Sequence, residues 1–211
     1  MKKLVKKAIL TVAVALMMIV KAYHVDIIEL PQEELFVVDN EEDREVLEAA
    51  YNQLPESVRV AFEREHGQII LLPEKTDLVA YLGDKVPEEY EEYNNETNGR
   101  VIGKYDRETD KIYIVNLNEV ETTGTLIHEM GHFVGSQGSL WDKVTLFGLN
   151  HFTEEWENVW VNECQYASDY AALSDAEGFA EGFKFMVTDT ERFELWYPQS
   201  YEFIQNCIAE L

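Results

Sequence analysis

Basic residues are scarce in this chain. Its 211 residues include 17 lysines and arginines against 41 aspartates and glutamates, a formal net charge of −24 at pH 7. Such a surface repels phosphate backbones and anionic headgroups, so nucleic acid and anionic membrane are excluded as partners. Long hydrophobic runs are scarce as well. The uncharged run over residues 8–20 follows Lys2, Lys3, Lys6 and Lys7; it is too short to span a bilayer and suits the apolar part of a signal peptide. Cleavage is expected after Ala22, with Val20 and Ala22 as the small residues and Lys21 between them; an uncleaved membrane anchor is the alternative. Residues 1–22 carry five lysines and no acid, so their removal takes the net charge from −24 to −29. The expectation is a secreted, extracellular and monomeric domain over residues 23–211, with no stable membrane association once the leader is gone. Cysteine is nearly absent: Cys164 and Cys207 allow one disulfide at most, and their spacing does not choose between a bridge and two buried thiols.

Apolar and aromatic residues are plentiful, at 46% and 12%, which is enough for a globular core and excludes intrinsic disorder. In chain order, residues 35–39 read as a short strand, and Asn40 caps a helix over 41–54. Pro55 opens a second helix that Gly67 closes, and residues 68–72 form a strand. The acids Glu41, Glu42, Asp43, Glu45 and Glu48 read as a solvated face, because the alternate-residue oxygen spacing of a calcium loop is missing. Residues 88–98 read as an acidic loop. Residues 100–105 and 111–116 alternate around a turn and predict a β-hairpin, whose second strand is the candidate edge for an extended peptide. Thr153 caps a helix to about residue 165, with Trp156, Val159 and Trp160 on its core stripe.

Against this background one stretch carries chemistry. With only 5 histidines in the chain, chance would place an HExxH string here about one or two times in a hundred, and TTGTLIHEMGHFVG contains one. On a helix, His128 and His132 project from adjacent turns of one face and can reach one metal ion, with Glu129 directed at the same site. Leu126, Met130 and Phe133 fall opposite His128, with Ile127 and Val134 beside them, so one face is core and the other is site.

A catalytic zinc needs a third protein ligand. The extended motif HExxHxxGxxH is excluded: Gly135 fits, but its last position is Gly138, which has no ligand atom. The remaining carboxylate candidates are Glu163, in VNECQ, and Glu177 with Glu181, one turn apart in DAEGFAEGFKFM. His151 is a further candidate. Ser174 to Glu177 also has the form of a capping box, in which Glu177 would only satisfy a helix start. The one-turn spacing favours Glu177, with one carboxylate to bind metal and the other to orient a ligand, while the residues alone leave its ligand and capping roles evenly open.

Taken together, LIHEMGH, Tyr170, DAEGFAEGFKFM and YPQSYEFIQ resemble the lethal-factor-like zinc metallopeptidases, the group that includes the anthrax lethal factor catalytic domain and small secreted clostridial proline-proline endopeptidases. The resemblance implies a Zn²⁺ ion held by His128, His132 and Glu177. It implies Glu129 as the catalytic glutamate, Tyr170 as the catalytic tyrosine and Glu181 as the support one turn beyond Glu177. It further implies a peptide or protein substrate and an α+β, zincin-like domain: a small twisted sheet, the HEMGH helix beneath it and a mainly helical C-terminal half. A non-catalytic binding module on the same fold and a non-peptidase zinc hydrolase are the competing readings. Two departures stand out. Gly178 replaces a bulky aromatic and Gly182 is a second glycine in the same helix, which predicts close helix contact there. The tryptophan and glycine-rich substrate loop of the proline-proline endopeptidases has no counterpart in residues 88–103.

Overall fold

A computed structural model describes residues 34–83, 100–137 and 154–211. The leader, the acidic loop over 88–98, His151 and the Thr153 cap lie outside the described residues. The compact unit over Glu34–Leu211 is α+β. In chain order it has β1 (Phe36–Val37), α1 (Glu41–Tyr51), α2 (Glu56–Arg64), β2 (Gln68–Leu72), α3 (Leu78–Leu82), β3 (Gly103–Asp106) and β4 (Lys111–Val115). Then follow α4 (Glu119–Ser136), α5 (Glu154–Asn162), a 3₁₀ turn (Cys164–Tyr166), α6 (Asp175–Thr188), α7 (Thr190–Trp196) and α8 (Pro198–Ala209). Among the described residues no helix is long and apolar enough to cross a membrane.

The four strands form one sheet in the order β1-β2-β4-β3, parallel except for the β3-β4 hairpin. Register places Phe36, Ile69, Ile112 and Tyr105 on one rung across all four strands, and each is buried. Because strand side chains alternate, this rung marks the sheet face that packs on α1, α2 and α4. The opposite face is covered by a smaller cluster of Leu72, Leu78, Tyr113 and Val115. The expected edge strand is therefore corrected: the second hairpin strand, β4, is internal, and β3 is the outer strand on that side among the described residues.

Asn40 caps α1 by accepting the Asp43 amide at 3.0 Å, as its position predicts. The α2 terminus departs from expectation. His66, at φ 60°, takes the left-handed position, while Gly67 is required because any side chain there would strike the Phe62 ring. Both cysteines are buried free thiols, with Cys164 donating to the Gly178 carbonyl and Cys207 to the Phe203 carbonyl. Burial pushes both thiols up to about 12, which leaves them inert.

Helix α4 lies under the sheet and against α6. Their backbones come close at Gly131, where an added Cβ would stand 2.7 Å from Ala180 Cα. That glycine sits inside the HEMGH string and lets the two helices that carry the site meet. Gly178 and Gly182 answer the expected close contact in another way: Gly178 faces the Trp160 ring, and Gly182 faces Cys164 Sγ and Ile204.

Candidate active site

Helix α4 starts where Asn118 accepts the Glu121 amide at 3.1 Å, and it runs 18 residues without a break. Leu126, Ile127, Met130 and Phe133 are each fully buried in the main core. The other face is not solvent: His128 and Glu129 are 7% and 5% exposed, because α6 and β3 cover them. Helix α6 brings Glu177 and Glu181 to the same place, both buried. Ser174 Oγ accepts the Glu177 amide at 3.1 Å, so the helix start is capped as its sequence suggests. The Glu177 carboxylate does not complete the capping box; it faces the two histidines.

The donor atoms converge. Nε2 of His128 and Nε2 of His132 are 3.1 Å apart, and Glu177 Oε2 is 3.1 Å from the first and 3.3 Å from the second. A tetrahedral ion with ligand bonds of about 2.0–2.1 Å needs donors about 3.3 Å apart, so these three fit one. Proton bookkeeping points the same way. Glu181 Oε1 lies 2.9 Å from His128 Nδ1, and an ionised carboxylate can only accept, so Nδ1 carries a proton and Nε2 is the nitrogen turned to the other donors, with a lone pair for a cation once its own proton is displaced. Burial works against charge on these groups, but mutual pairing outweighs it. The hydrogen bonds to Glu177 and Glu181 raise His128 to about 9, and the two histidines hold Glu177 far below the usual carboxylate range. Glu181, pulled the same way by His128 and Lys184, falls to about 2. Three buried carboxylates, Glu129, Glu177 and Glu181, thus lie around the two histidines, an environment that rewards a cation.

Glu129 is placed against the sheet. Val115 N–H donates to Ile102 O at 2.8 Å, so hydrogen-bonded pairs alternate along the hairpin and the main-chain groups of Gly103 and Tyr105 point away from β4. Tyr105 N–H meets Glu129 Oε2 at 2.7 Å. A Cβ at position 103 would come within 2.5 Å of Glu129 Oε1, so glycine there lets the outer strand approach the carboxylate. The Tyr105 side chain fixes this arrangement, since its hydroxyl donates to Asp110 Oδ1 at 2.6 Å and lies 3.1 Å from Ser136 Oγ at the end of α4.

Tyr170 sits in the turn before α6, half-buried, with its ring centroid 5.5 Å from that of His128. Two further residues join the cluster without a motif to announce them. Ser168 Oγ donates to Glu181 Oε2 at 3.0 Å, and Lys184 pairs with Glu181 Oε1. The i,i+3 spacing of Glu181 and Lys184 on a helix was the available signal for the second.

Glu163, the competing third carboxylate, has another task. Its Oε2 accepts the amides of Gln199 and Ser200 at 2.9 and 3.0 Å, and its Oε1 accepts from the Gln199 side chain at 2.9 Å. It satisfies the start of α8, where Pro198 supplies no N–H. Glu163→Ala should therefore cost about 1–2 kcal/mol of stability, read as a lower thermal midpoint, and leave metal content at the wild-type level.

No protein-family model matches the chain, and no curated protein matches it by sequence. Among solved structures it is similar to the Pro-Pro endopeptidase PPEP-2 from Paenibacillus alvei, with a TM-score of 0.55 and 20% identity over 83% of this chain and 98% of that one. The likeness is one of fold.

Proposed function

We propose that the chain is a secreted zinc metalloendopeptidase, with residues 1–22 as a cleaved signal peptide and residues 23–211 as a monomeric peptidase domain. The observation that carries this reading is the meeting of His128 Nε2, His132 Nε2 and Glu177 Oε2 at tetrahedral spacing. The motif resemblance to the lethal-factor-like peptidases and the fold shared with a Pro-Pro endopeptidase support it. No feature of residues 88–103 argues for cleavage between prolines in this chain.

A zinc ion held by the three donors supplies a Lewis acid that acidifies water and polarises a peptide carbonyl. Glu129 takes the proton of the attacking water and passes it to the leaving amine. Tyr170 donates a hydrogen bond to the oxygen on which negative charge develops. Glu181 holds His128 in the tautomer that leaves Nε2 available. The outer strand β3 offers the main-chain groups of Gly103 to an extended substrate, which brings its scissile bond past Glu129. The acidic surface favours cationic peptides over acidic ones and disfavours nucleic acid.

Incubation of the mature protein with a diverse peptide library, with cut sites located by mass spectrometry, tests the reading. Chelator-sensitive internal cleavage is expected; intact peptides in the presence of zinc would refute it. Within this mechanism Tyr170→Phe should lower kcat and kcat/KM together by about 10²–10³ and leave KM and zinc content unchanged, because the lost contact exists mainly in the transition state. Steady-state kinetics on any cleaved peptide check this, and a wild-type kcat would make Tyr170 a packing residue only.

A further inference from the structure

Glu181 uses its two oxygens for different purposes. Oε1 faces His128 Nδ1 at 2.9 Å and Lys184, while Oε2 accepts the Ser168 hydroxyl at 3.0 Å. The same hydroxyl oxygen accepts the Ala171 amide at 2.9 Å. Tyr170 is thus enclosed in a turn whose two ends are tied by Ser168, and the tie is anchored on the carboxylate that orients a histidine of the metal cluster. Other bonds shape the turn: Leu173 N–H donates to Tyr170 O at 3.1 Å, and Trp160 Nε1 donates to Ala171 O at 2.8 Å. Neither of them reaches the histidines. The Ser168 hydroxyl links this turn directly to Glu181, and it does so through a charge-assisted bond to a buried anion, which is the strong kind.

We infer that Ser168 is a positioning residue: it locks the Tyr170 turn onto Glu181 so that the tyrosine hydroxyl and the His128 imidazole are held in one fixed relation. This deepens the proposed function and rests on it for its kinetic part. The physical need is strict. An oxyanion donor acts only when it waits at the place where charge develops, and displacements of about 1 Å at such sites cost up to about a hundredfold in rate. A serine at this position contributes both a donor and an acceptor from one atom, which alanine cannot replace and threonine can.

The test combines kinetics with amide exchange. Ser168→Ala should lower kcat about tenfold with KM within about twofold, and Ser168→Thr should restore it. In a Tyr170→Phe background, Ser168→Ala should cost less than about twofold further, because the hydroxyl it positions is already gone. Independently, hydrogen exchange at the Ala171 amide should speed about tenfold in Ser168→Ala, in both metal-free and zinc-loaded protein, and return in Ser168→Thr. Full additivity with Tyr170→Phe, or unchanged Ala171 exchange, would overturn the assignment. Because the exchange measurement needs no hydrolysis, failure of the proposed activity and failure of this assignment are read separately.

Discussion

Glu129→Gln is expected to reduce kcat by about 10²–10⁴ while zinc content and stability stay close to wild type. The substitution leaves the ligand set untouched and removes only the base. Glutamine is the better probe than alanine for a structural reason. Glu129 is 5% exposed and one of its oxygens accepts Tyr105 N–H at 2.7 Å. Alanine would strand that buried amide at a cost of about 1–3 kcal/mol, so Glu129→Ala should lose activity and stability together. The glutamine carbonyl can keep the amide satisfied, while its NH₂ group has to fit beside Gly103 and Thr125, where the strand lies close. The pair of variants therefore separates the chemical role from the structural one. Near wild-type turnover by either variant would remove Glu129 from the mechanism.

Glu177→Ala should have the largest effect on the metal. Glu177 is 6% exposed, and its Oε2 forms a triangle with the two histidine Nε2 atoms as the anionic member of the donor set. Residues that merely touch a ligand are worth about 10–100-fold in metal affinity, so loss of a ligand should exceed about 100-fold. Dialysed protein should then hold little zinc and cleave nothing. The helix itself should survive, because Ser174 caps α6 through the Glu177 main-chain amide, which alanine retains. The contrast with Glu163→Ala, expected to be less stable but fully loaded, makes the choice of third ligand testable in one set of elemental analyses. Wild-type zinc retention by Glu177→Ala would mean that another group completes the site.

Much of this site can be read from the chain because its signals are local. HEMGH is a helical spacing and the core stripe opposite it has the same period, so both histidines and the buried face follow from one stretch. Residues 68–72 form the expected strand because an apolar run bounded by Gly67 and Pro73 has few alternatives. What stays hidden depends on partners far away in sequence. Both hairpin strands alternate, and local pattern does not say which one lies outermost. The difference is present only in composition, where IYIV is buried on both faces and GKYD is not. Glu163 stays open as a ligand beside the favoured Glu177, because the amides that claim it lie 36 and 37 residues downstream. Ser168 has no motif at all; its role arises when the turn before α6 folds back onto Glu181. Gly131 reads as a filler inside HEMGH, yet it is a point where the α6 backbone comes close to α4, a contact that no single helix reveals.

The central claim is that hydrolysis depends on one zinc ion at His128, His132 and Glu177, and titration of metal-free mature protein with zinc tests it most directly. Peptide cleavage should be absent at first, rise in proportion to added zinc and level off at about one ion per chain. Metal-free protein that cleaves as fast as loaded protein, or a loaded protein that cleaves nothing, would contradict the account.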